Sequence, residues 1–128
     1  MTKNLERAAL IALVIALVAA CAPTVERPAV EYRVASSTLL AEVVEYGLTQ
    51  HPTPSMTPFR VEGESSSSVV LLSEATGLLP IAPRFTRLTF SVVQQGDVST
   101  LTIIATGYNA SDTAERFVLH LASVFPRL

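Results

Sequence analysis

The chain has a single cysteine, Cys21, among its 128 residues. An internal disulfide is therefore excluded, and any metal site would rely on other ligand types. Lysine is missing after Lys3, which leaves residues 22–128 with seven arginines against ten carboxylates, a net charge of about −3. These charges are dispersed, and without a basic cluster to neutralise several phosphates at once, nucleic-acid binding is excluded as a function. No apolar run reaches the roughly 20 residues a membrane-spanning helix takes. The spacings H-x-x-x-H and G-x-S-x-G are both absent, so neither a metal centre, nor a bound cofactor, nor a nucleophile elbow is expected.

What is present begins at the N-terminus. Lys3 and Arg7 precede an apolar run from Ala8 to Ala20, and the run ends in small residues before Cys21. This is the layout of a secretory signal: a positive segment, an apolar segment of roughly 7 to 15 residues, and a small-residue cleavage site. Residues 1–20 read as that signal. A buried cysteine would act as a small hydrophobe, but Cys21 stands against Pro23 and a polar stretch. A reactive thiol would want a cationic neighbour or a helix N-terminus, and the local sequence offers neither.

Val18, Ala19, Ala20 and Cys21 resemble the lipobox of bacterial lipoproteins. The resemblance implies a diacylglyceryl group on the Cys21 sulfur, cleavage between Ala20 and Cys21, and often a further acyl chain such as palmitate on the new amino group. Val18 stands where leucine is commoner. Val18 and Ala20 also satisfy the rule for ordinary secretory cleavage, which would release a soluble protein. One acyl chain holds a protein only marginally, whereas two or more hold it stably. The partner implied is membrane lipid, with the domain on the periplasmic or extracytoplasmic side of the cell envelope. Ala22 follows the cysteine, where an aspartate would resemble the inner-membrane retention signal of enteric bacteria, so the outer membrane is the expected address in a cell with two.

Residues 21–29 then read as the lipidated cysteine and an extended tether, because Pro23 and Pro28 interrupt a stretch without apolar periodicity. The domain is expected over 30–128. Val30, Tyr32 and Val34 alternate with charged residues, as in a half-buried strand. Ser36 or Ser37 can cap a helix with Leu39, Leu40, Val43, Val44 and Leu48 on one face and Glu42, Glu45 and Gln50 on the other. Prolines end that helix within residues 51–58. Strands follow near Phe59–Glu62 and Ser67–Ala75, with Ser65 to Ser68 as a turn and strand start. Alternation on both sides of Gly96 marks a hairpin. The last helix carries Ala114, Phe117, Val118, Leu121, Ala122 and Phe125 on one stripe, with Asp112 and Glu115 at capping-box spacing.

The expected fold is α+β: a two-layer sandwich of four to five antiparallel strands with two helices on one face, in the order β-α-β-β-β-β-α. This element order is loosely similar to that of helix-grip domains in some small outer-membrane lipoproteins. His51 reads as a solvated loop histidine and His120 as a partly exposed helix residue. Glu62, Glu64 and Glu74 read as a solvated strand face, and Asn109 to Ser111 as a turn before a helix. The loop around Leu78, Leu79 and Ile81, apolar among Gly77, Pro80 and Pro83, is the candidate contact surface for a protein partner. The function these readings favour is a non-enzymatic accessory or interaction domain at the envelope. The alternative is a small hydrophobic-ligand carrier with a cavity between helices and sheet.

Overall fold

The computed structural model describes residues 23–75 and 84–128. Five strands, β1 (Thr24–Tyr32), β2 (Arg60–Glu64), β3 (Ser68–Glu74), β4 (Phe85–Gln95) and β5 (Val98–Gly107), form one sheet. Its spatial order is β1-β5-β4-β3-β2 with every neighbouring pair antiparallel. Helix α1 (Ser36–Gly47) lies between β1 and β2 in the chain, and α2 (Ala110–Val124) follows β5. The α+β order read from the sequence is the order observed.

Alternation decides which face of the sheet is covered. In β4, Thr86, Leu88, Phe90 and Val92 are buried, and in β5, Ser99, Leu101, Ile103 and Ala105. Register aligns these into rows across the sheet, Leu71 with Leu88 and Ala105, and Val69 with Phe90 and Ile103. The helices close over the rows with Leu39, Leu40 and Val43 from α1 and Ala114, Phe117, Val118 and Leu121 from α2. Phe117 sits centrally, its ring 4.9 Å from Tyr46, 5.1 Å from Phe90 and 6.0 Å from Phe59. Burying one such side chain contributes about 1.5–3 kcal/mol. The layer between helices and sheet is thus occupied by aromatic and aliphatic side chains.

Both sheet edges discourage further pairing. β2 is short, carries Arg60, Glu62 and Glu64, and shifts register between Val61 and Gly63. β1 shifts register between Arg27 and Val30, on either side of Pro28, which has no N–H to offer.

Four expectations need correction. The stretch expected to tether the domain is paired instead: Thr24 to Arg27 match Thr106 to Ile103, so the first strand starts six residues before Val30. Two prolines hide the alternation there. Neither serine caps α1, whose N-cap is Ala35. The Ser36 amide donates to Gln94 Oε1 at 3.1 Å and its hydroxyl lies 3.1 Å from Ser99 Oγ, so the β4–β5 hairpin supplies the missing partners. The capping box of α2 does not form either, because the helix begins at Ala110 and Glu115 pairs with Arg27. Ala122 is exposed, whereas Phe125, extended just beyond the helix, still packs against the core beside Tyr32, so only Ala122 leaves the expected stripe.

The register gives the sheet two unlike ends. One holds tight turns, residues 65–67 and 96–97, and the start of α1. The other holds Pro23, the chain from 48 to 59, the departure and return of the β3–β4 connection, and Tyr108 and Asn109.

Candidate functional site

The sheet face away from the helices carries a depression of about 270 Å³, lined by Leu72, Glu74, Phe85 and Arg87. Strand register places it at the loop-bearing end: Leu72 pairs with Arg87, and Glu74 with Phe85. Leu72 is only 6% exposed although it faces away from the helices. Arg87 grips Glu62 with both ends of its guanidinium, Nε to Oε2 at 3.0 Å and Nη2 to Oε1 at 3.1 Å. The same guanidinium lies 5.5 Å from the Phe85 ring centroid. Beside it, Arg60 Nη2 meets Glu74 Oε1 at 3.1 Å. Arg84 stands over the Tyr108 ring at 4.7 Å.

Such a site can hold a flat or apolar group against Leu72 and Phe85, with polar atoms reaching the rim. Glu62 and Glu74, expected on a solvated strand face, are each engaged by an arginine, and Glu64 is exposed. These are surface pairs, worth about 0–1 kcal/mol each. They orient the rim more than they stabilise the fold.

A second cluster lies on the other side of the sheet, on the helices. His120 Nε2 is 2.8 Å from Glu42 Oε1, and its ring stacks on Tyr46 with centroids 3.8 Å apart and planes 4° from parallel. Glu42 was expected on the open side of α1; α2 half-covers it there. The pair links α1 to α2 and is separated from the depression by the sheet.

His51 is half-buried, not solvated, with Nδ1 2.6 Å from the Thr53 carbonyl. Its loop is held from α2: Arg116 Nη2 donates to the carbonyls of His51 and Pro52 at 3.1 Å each, and Asn109 Nδ2 donates to Pro52 at 2.9 Å. Asn109 has φ 54°, in the left-handed region, so its side chain serves the loop and not the helix N-terminus. Among the described residues, no three His, Cys, Asp or Glu side chains converge as metal ligands. Ala20, Cys21, Leu78, Leu79 and Ile81 lie outside the described residues.

One further group is electrically unusual. Tyr32 is fully buried and its hydroxyl has no hydrogen-bond partner among the described residues. Burial raises its pKa above the ordinary phenol value, with the Arg127 charge opposing the shift.

The depression is the feature sequence reading missed. Its signal was the outward register of β3 and β4, where Val70, Leu72 and Phe85 stand on a face that solvent would fill with polar residues.

No family model and no curated protein matches the chain. Several solved chains are similar, two of them as follows. A START superfamily protein from Mycobacterium smegmatis shares 14% identity over 78% of this chain and 92% of that one, with a TM-score of 0.40. The Zhui aromatase/cyclase from Streptomyces sp. R1128 shares 11% identity over 68% of each chain, with a TM-score of 0.33.

Proposed function

We propose that the chain is a lipid-anchored, non-enzymatic accessory or interaction domain of the cell envelope. The observation that carries this reading is the signal layout ending in Val18-Ala19-Ala20-Cys21, directly ahead of a domain that starts at Thr24. Acylation at Cys21 concentrates the domain at a membrane, in the outer membrane where the cell has two. The segment offered to a partner is Leu78, Leu79 and Ile81, which follow Glu74 in the chain.

The intact mass of protein extracted from membranes tests the anchor. The expected mass lacks residues 1–20 and carries a diacylglyceryl group. A soluble product of unmodified mass would overturn the reading. Deleting Leu78 to Ile81 is expected to leave the fold intact and remove a co-purifying partner, and retention of every partner counts against the loop.

A second reading is a carrier of small hydrophobic ligands, favoured by the apolar floor of the depression at Leu72 and Phe85. Its site is on the outer sheet face and not between helices and sheet. Titration with a fluorescent fatty acid, compared between the native chain and Leu72→Glu, distinguishes it: equal binding by both would exclude the depression as the site.

A further inference from the structure

The early start of β1 changes what an anchor at Cys21 would do. Only Ala22 stands between Cys21 and Pro23, and the Pro23 carbonyl accepts the Gly107 amide at 2.9 Å. Thr24 pairs with Thr106 in the register that follows, their hydroxyls 3.4 Å apart. A fully extended chain gains at most about 3.6 Å per residue, so Cys21 and Pro23 are within about 7 Å of each other. A free tether over residues 22–29 would have reached about 29 Å by the same measure. The polar layer of a bilayer is roughly 5–8 Å deep on each side. Seven ångströms is the depth of that layer, and 29 Å would clear it several times over.

We infer that the loop-bearing end of the sheet is a membrane-facing surface that rests on lipid headgroups; this deepens the anchoring reading and depends on it. The groups beside Pro23 suit that position. The Tyr108 amide donates to the Phe85 carbonyl at 2.8 Å, while the residue is 42% exposed with the Arg84 guanidinium over its ring. An amphipathic ring with a long cationic side chain is the pair that settles at a membrane interface, the ring among glycerol groups and the charge among phosphates. Arg60, Arg84, Arg87 and Arg116 lie at this end with Glu26, Glu62, Glu74 and Asp112, so the charges balance and the end does not repel an anionic headgroup layer. The face holding the depression then stands upright on the membrane, its mouth close to the lipid.

The chain has no tryptophan, so a single one reports its own surroundings. Lipidated full-length Tyr108→Trp and Val93→Trp are placed in vesicles of phosphatidylethanolamine and phosphatidylglycerol with nitroxide-labelled headgroups. Val93 is 63% exposed and lies near the opposite, turn-bearing end. Headgroup quenching is expected to be at least about threefold stronger for Tyr108→Trp, and inserting about eight glycine and serine residues between Ala22 and Pro23 should abolish the difference. Equal quenching at both positions in protein whose mass confirms the lipid overturns the orientation alone. A mass without lipid overturns the anchoring reading and this inference with it.

Discussion

The two ends of the sheet are closed by different physics. At the turn-bearing end, Gly96 takes φ 63° in a two-residue turn between Gln95 and Val98, and nothing lies within 4 Å of where a side chain would begin. At the loop-bearing end, Gly107 takes φ 106°, and a Cβ there would stand 2.1 Å from the Phe85 carbonyl oxygen. The first glycine is needed only for its backbone angle. The second is needed for the angle and for the space, because β4 and the chain after β5 approach without a gap. Local chemistry shapes one end, and long-range contact shapes the other.

Substitution separates the two. Gly107→Ala combines a forbidden angle with a backbone clash, and an unfolding free energy lowered by about 3 kcal/mol or more is expected from urea titration. A loss under about 1 kcal/mol would show that the two strands part easily. Gly96→Ala meets only the left-handed penalty, about 1–2 kcal/mol, and should leave hydrogen exchange at the loop-bearing end unchanged. The smallest change expected is a gain: Tyr32→Phe removes a buried hydroxyl without a partner and should stabilise the fold by about 1 kcal/mol.

Tyr32 also sets a pH signature. Its pKa is higher folded than unfolded, so its contribution to stability is complete below the unfolded value of about 10 and is lost as pH rises through that value toward the folded one. Native protein should therefore lose stability above about pH 10 more steeply than Tyr32→Phe does. Parallel curves for the two would remove Tyr32 as the cause.

What could be read from the sequence follows the same division. The hairpin at Gly96, the serine turn and the apolar faces of both helices depend on neighbours a few residues apart, and period and turn chemistry reveal them. The partners of Ser36 are Gln94 and Ser99, those of Pro52 are Asn109 and Arg116, and that of His120 is Glu42. These contacts bridge 57 to 78 residues, and no local pattern announces them. Arg27 shows the limit best. It reads as a tether residue, yet strand pairing sets it opposite Ile103, where it reaches Glu115 on α2. The depression was missed for the same reason, since Leu72 and Arg87 become neighbours only when β3 and β4 pair.

The pairing of Thr24 with Thr106 also imposes an order in time. These residues are 82 positions apart, and at roughly 5–20 residues per second about ten seconds of synthesis separate them. β1 is the first strand made and the last to find its place, because its sole neighbour in the sheet is β5. Until β5 arrives, the N-terminal strand has nothing to pair with, so the sheet can close only when the chain has been made as far as Gly107, with α2 alone still to follow.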